Sequence, residues 1–307
     1  MKNRYLLTAL IFLALLSLFL GLSGFAGRGL KIMVISRIPR VMSLIMAGMS
    51  MSISGLIMQR ITRNRFVSPT TAATVDAAKG GVLAVLILFP KASSLLKMSL
   101  VFAFALAGTF LFMAILKRVK FKHAIFIPLL GIMLGSIFDA LTTFVAYRYD
   151  LIQNISSWLL GNFSLIMQGR YELLYLSVPL LILAYLFAHQ FTVAGLGEEV
   201  AVNLGLNYRL VVNIGVTLVA LLSALVIITA GRIPFLGLIV PNLVTIYYGD
   251  NLKASIGATA LLGAAFLLAA DLLGRVVIPP YEIPIGLTVG AAGSIMFLYL
   301  IFRGQAA

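Results

Sequence analysis

Runs of about 20 apolar residues recur along the whole chain, and each is long enough to cross a hydrocarbon core roughly 30 Å thick. They fall at 5–25, 41–59, 70–89, 95–116, 124–145, 172–190, 210–230, 236–248, 253–273 and 284–302. An isolated strand would leave its backbone polar groups unpaired in lipid, so every run is predicted to be a helix. The expected fold class is an all-α polytopic membrane protein of about ten transmembrane helices, forming a single membrane domain over residues 1–307. The first run follows Lys2 and Arg4; it is long for a cleaved signal and more spans follow, so it reads as a retained helix. The eighth is too short to cross alone. Gly231, Pro234, Gly237 and Pro241 interrupt it, and broken backbone at membrane depth must be lined by protein or by a water-filled cavity.

Composition agrees with this reading: 62% of residues are hydrophobic and 10% charged, whereas a soluble domain has roughly 45–50% apolar and about 25% charged residues. A net charge of +14 would suggest nucleic acid in a soluble protein. Here the basic residues occupy short connections between apolar runs, so the lipid bilayer accounts for them and no nucleic-acid partner is expected. Placing both termini in the cytoplasm puts the tight clusters Arg60–Arg65 and Lys117–Lys122 inside, in the sense of the positive-inside rule.

Catalytic chemistry is hard to place. There is no G-x-x-x-x-G-K-[ST] phosphate loop, no H-E-x-x-H and no cysteine, and His123 and His189 fall at separate helix ends. No enzyme, resident metal or cofactor is expected. The remaining ionisable residues at membrane depth are Asp76 and Lys79, three apart on the third run, Asp139 on the fifth and Asp271 on the ninth. Residues three apart share a helix face, so Asp76 is expected to pair with Lys79, leaving Asp139 and Asp271 to face a hydrated vestibule or bond across helices. The alternative is an ion-coupled secondary transporter using Asp76, Asp139 and Asp271 as a relay.

Small residues four apart, Gly48 with Ser52, Gly131 with Gly135 and Gly286 with Gly290, mark close helix packing; a moving pore helix is the sharper alternative for Gly131 and Gly135. Arg37-Ile38-Pro39-Arg40 is expected to open the second span, where the missing N–H of proline costs nothing. Between the sixth and seventh runs, Gly197 can begin a helix, Glu198 and Glu199 suit its positive end, and Gly205 can stop it. Such a helix is about 10 Å long, too short to span and suited to being gripped by another protein.

In order along nearly the whole chain come R-I-P-R at Arg37–Arg40, S-G-x-x-x-Q at Ser54–Gln59 and T-R-N at Thr62–Asn64. G-E-x-x-A-x-x-L-G at Gly197–Gly205, G-x-I-x-F-L-G-L-I-V-P-x-L at Gly231–Leu243, and Asp271…Arg275 with Glu282-Ile283-Pro284 follow. This series resembles the FecCD-type iron–siderophore and cobalamin ABC importer permeases, with the ten-helix type II importer fold. The resemblance implies a bacterial cell-membrane permease with two separate ABC ATPase subunits, a second permease copy or relative, and an extracytoplasmic solute-binding protein. It implies that Arg37 and Arg275 meet the binding protein, and that Gly197, Glu198, Glu199, Ala201, Leu204 and Gly205 form the coupling loop seated in an ATPase. Gln59, Asn64, Gly131, Gly135, Pro241 and Asn242 stand as pathway or gate candidates.

Where the family commonly has T-R-N-P-L-A-x-P and V-P-H, this chain has Thr62-Arg63-Asn64-Arg65-Phe66-Val67-Ser68-Pro69 and Val240-Pro241-Asn242. Phe66 to Ala72 with Asp76 is similar to the subgroup serving ferric catecholate siderophores, which often pairs two different permeases. A ferric siderophore is therefore the substrate the resemblance implies, with haem or cobalamin as the alternative. Iron arrives already wrapped in organic ligands, which fits a chain poor in Cys and His, and an electropositive outer face would favour an anionic chelate.

Overall fold

The computed structural model describes residues 3–20, 28–65, 67–69, 73–118, 126–249 and 251–304. Phe66 and Thr70–Ala72 of the subgroup signature, Lys120 and Lys122 of the inner basic cluster, and His123 lie outside them. The chain is helical throughout its described part: α1 (Asn3–Phe19), α2 (Arg28–Ile32), a π-helical turn (Met33–Arg37), α3 (Ile38–Thr62), α4 (Thr74–Leu88), α5 (Ser94–Arg118) and α6 (Phe126–Arg148). There follow α7 (Ile152–Leu159), a 3-10 turn (Glu172–Leu176), α8 (Ser177–Leu186), α9 (Ala188–Ala194) and α10 (Glu198–Asn203). The last are α11 (Tyr208–Ala230), α12 (Leu236–Tyr248), α13 (Leu252–Val276) and α14 (Ile285–Gly304).

Five helices are long and apolar enough to cross a membrane: Leu30–Thr62, Ser94–Ile115, Leu129–Arg148, Tyr208–Ala230 and Leu252–Val276. A sixth crossing is available if Glu172–Leu186 and Ala188–Ala194, bent by 57° at their junction, count as one. The expectation of ten is therefore corrected to five or six among the described residues. The others are too short by themselves: α1 has 17 residues, α4 15 and α12 13, against about 20 for a straight crossing.

The second run also differs from expectation. α3 opens at Ile38 with Pro39 in its first turn, as expected, but the span continues back through the π turn to Leu30. Proline has no N–H to offer the carbonyl of Ile35 one turn back; the backbone N–H of Gln168 takes that carbonyl instead, at 2.9 Å, and the widened π turn lies directly before the ring. The strand-free α7, with Ile155 buried, is a further element that the run pattern did not reveal.

α3 is the central post, packed against α13, α11 and α12. Small residues make this possible. A Cβ on Gly48 would sit 2.6 Å from the carbonyl oxygen of Gly263 on α13, and one on Gly55 would fall on the carbonyl of Gly237 on α12. The core divides along α3: Leu44 and Met51 pack with Phe163, Leu236 and Leu268, while Ile57 and Ile61 pack with Phe191, Val212 and Val216. A third cluster joins α4, α5 and α7 through Val82, Val101 and Ile155.

Candidate functional site

At about 1.5 Å per residue, α3 separates its two ends by about 37 Å, and α13, also 25 residues long, runs beside it. The sequence-predicted site residues on or beside α3 gather at those two ends, and Gly131 and Gly135 lie on α6.

At the Arg37 end, two arginines, Arg40 and Arg275, gather round two carboxylates. Arg40 Nε and one terminal nitrogen donate to Asp271 Oδ1 at 3.1 and 2.7 Å, and its other terminal nitrogen donates to Glu282 Oε2 at 2.8 Å. Arg275 pairs with Asp271 Oδ2 at 2.5 Å, one turn along α13. Ser164 donates to Glu282. Burial opposes ionisation of Glu282, but the hydrogen bonds from Ser164 and Arg40 outweigh it and hold the carboxyl below its ordinary value. The two arginines expected to meet a binding protein also share an internal task here: Arg37 donates to the carbonyls of Leu18 and Leu20, and Arg275 to that of Ser17 at 3.1 Å. Both therefore sit on the carbonyl end of α1, where unpaired C=O groups and the helix dipole favour a cation.

At the other end, α3 stops at Arg63, whose backbone is left-handed, and the chain from α9 to α11 folds against it. Gly197, at φ +114°, has a backbone that L side chains rarely adopt, and a Cβ there would lie 3.1 Å from the Arg63 guanidinium. α10 starts directly after Gly197 with Glu198 and Glu199 in its first turn, and Ala201 is buried beneath it. Leu204 ends the helix, and Gly205 N–H donates to Val202. Leu196, Val200, Val202 and Leu204 are exposed, an apolar patch on a short, capped helix.

In the last turn of α3, at this same end, Gln59 and Asn242 meet at one carbonyl: the side-chain amides donate to Leu238 at 3.2 and 2.8 Å. Asn242 reaches Arg65 as well, at 2.9 Å, and Asn64 N–H donates to Gln59. Pro241 lies within α12 beside them. Gly131 and Gly135 belong to α6, where Gly135 lies against the carboxylate of Asp76.

The expected Asp76–Lys79 pair is not formed. Lys79 instead binds Asp139 on α6 at 2.6 Å and Thr143 at 3.0 Å, and Asp76 takes Arg232 at 3.0 Å. Spacing on α4 permits a local pair, but each charge has an opposite charge on a facing element with better reach. Asp271 likewise bonds across helices to Arg40. Arg232 was not singled out as a site residue by the sequence. Its signal was there: a cation inside the broken Gly231–Leu243 run, where exposed backbone already demanded a lined cavity.

Comparison with known proteins assigns the chain, with its exposed apolar patch at one end and its charged cluster at the other, to a family. The FecCD transport family model covers residues 6–303. The chain belongs to the FecCD transport family. It is 57% identical over 314 aligned residues to the petrobactin import system permease protein YclN of Bacillus subtilis, covering 100% of this chain and 99% of that one. It is 41% identical to the ferric-anguibactin transport system permease protein FatD of Vibrio anguillarum, covering 89% and 87%. Its fold is that of a transporter described as metal-chelate type and captured inward-facing, with a TM-score of 0.85, 24% identity and 98% of each chain covered. This FecCD chain is a multi-pass membrane protein and a transport permease.

Proposed function

We propose that the chain is the permease subunit of an ATP-driven importer for a ferric siderophore of catecholate type, acting as one membrane domain. The observation that carries this reading is the 57% identity, over the full length, to a permease named for petrobactin import. The short helices α1, α4, α12 and α14 would complete ten crossings with the six long ones, their ends reaching the interface through neighbouring protein.

The partners follow from the same reading. ATPase subunits would seat on α10, whose exposed Leu196, Val200 and Leu204 supply apolar contact and whose Glu198 and Glu199 supply charge. Motion there would pass along α3 through Arg63 to the polar crossing at Gln59, Asn64 and Asn242, with Pro241 marking where α12 can yield. A solute-binding protein would deliver the chelate at the Arg37 end, and a second permease, identical or related, would complete the pathway.

Three experiments test this. Vesicles containing the complete importer should accumulate 55Fe supplied as ferric petrobactin with the binding protein, in an ATP-dependent manner; haem or cobalamin uptake in its place would contradict the substrate. Glu198→Lys with Glu199→Lys should lower co-purification of the ATPase, and unchanged co-purification would defeat the coupling role. For docking, Arg275→Glu would set two carboxylates together at Asp271, so Arg37→Gln with Arg275→Gln is the cleaner pair. It should cut uptake while leaving the permease inserted.

A further inference from the structure

Four charges that the docking and coupling roles leave unused form two ion pairs from α4 to its neighbours: Lys79 with Asp139 on α6, and Asp76 with Arg232 in the turn before α12. Ionisable groups at membrane depth are costly, and they mark substrate paths when they border a cavity. These border one. A cavity of about 410 Å³ is walled by Lys79, Asp139 and Arg232, by Ser156 on α7, and by the apolar faces of Ile155 and Leu287. That volume lies within the range of small-molecule pockets, which characteristically combine apolar walls with a few placed polar groups.

The two pairs are built asymmetrically. The outward members, Arg232 and Asp139, are each about half exposed, whereas their partners Asp76 and Lys79 are mostly covered. Asp76 is not among the lining residues; it pairs with one terminal nitrogen of Arg232 at 3.0 Å, while Arg232 itself borders the space. Lys79 borders the space beside Asp139, to which it donates at 2.6 Å, with Thr143 as its second acceptor. The backbone fixes the site as well. Arg232 N–H donates to Leu159, and Gly286 N–H donates to Gly161, both at 2.9 Å, which ties α7 and the start of α14 to the turn carrying the arginine.

We propose that this cavity is a ligand subsite. Arg232 receives anionic or carbonyl oxygens of the transported chelate, Asp139 and Ser156 receive its hydroxyl or amine donors, and Asp76 and Lys79 are positioning residues. The assignment rests on the reading of the chain as a ferric-siderophore permease and adds where, and by which atoms, the chelate is held.

The single tryptophan of the chain, Trp158, lies on α7 one residue from the lining pair Ser156 and Leu159, so it reports on this site. The test uses the full-length permease in lipid nanodiscs, titrated with ferric petrobactin and read by Trp158 quenching and by 55Fe equilibrium binding; 55Fe uptake by the complete importer in vesicles is measured in parallel. The swap Asp76→Arg with Arg232→Asp keeps an ion pair but moves the cation off the cavity wall. It should fold and melt like the parent yet weaken binding at least tenfold. Ser156→Phe, at an exposed position, should weaken binding to a similar degree by filling the space, and it decides the matter if the swap does not fold. Parental affinity in the swap, or in Ser156→Phe where the swap does not fold, overturns the subsite, because a purely structural pair would be rescued. Uptake by the parent importer with no saturable binding to the parent permease overturns the subsite alone. No uptake of ferric petrobactin by the parent importer removes the function reading and the subsite with it.

Discussion

The two charged clusters of this permease contain similar residues but differ in how water meets them. Around Asp271 the side chains are closed in: Arg40 is 12% exposed, Arg275 10% and Asp271 3%. Around the cavity, Arg232 is 47% and Asp139 49% exposed. The first cluster joins the ends of α1, α3 and α13 to the segment before α14, and every charge in it is spent on another part of the chain. The second leaves one cation and one anion half free. A closed ion-pair cluster resists the loss of any member, because the survivor is stranded in low dielectric, whereas an open pair contributes little to stability and keeps its groups available.

Removing the shared carboxylate should break the comparison most severely. Asp271→Ala strands two buried guanidinium groups and is expected to cost about 3–5 kcal/mol, seen as a large fall in the melting temperature of the detergent-solubilised protein. Next comes the packing that holds the closed end: Gly48→Val drives a side chain into the Gly263 backbone and should cost about 1–3 kcal/mol by the same measurement. Glu282 sharpens the contrast through pH. Its folded-state pKa lies below the ordinary 4.5, so its stabilising contribution is full above that value and is lost as pH falls through the folded one. The melting temperatures of the parent and Glu282→Gln should therefore differ at neutral pH and converge on acidification. The smallest change is expected from Asp139→Asn, within about 1 kcal/mol; a loss as large as that of Asp271→Ala would erase the distinction between the clusters.

Much of this was legible in the sequence, for reasons that differ by residue. Long apolar runs and small-residue spacings report directly on lipid burial and close helix approach, so α3, α5, α11 and α13 and the Gly48 crossing were readable. The glycine–glutamate pattern at 197–205 encodes its own start and stop, and α10 follows it. Charge partners were not readable in this way. Asp76 and Lys79 share a face of α4, but the partner each takes is fixed by α6 and by the turn at Arg232, which no local spacing encodes. Pro39 marks the start of α3, but the continuation of the span back to Leu30 is not readable there, because Gln168, more than a hundred residues away, donates to the carbonyl that the proline leaves open. The eight residues of α7 are too few to reveal themselves by periodicity beside much longer apolar runs.

The central claim is that this permease is a gate moved by its ATPase partners. The most direct measurement reconstitutes it in sealed vesicles, with and without those partners, and follows accumulation of 55Fe supplied as ferric petrobactin with the binding protein. The expected result is accumulation only when the ATPases and ATP are present, indifferent to an imposed proton or sodium gradient. Accumulation by the permease alone, driven by such a gradient, would contradict the account and return Asp76, Asp139 and Asp271 to the role of an ion relay.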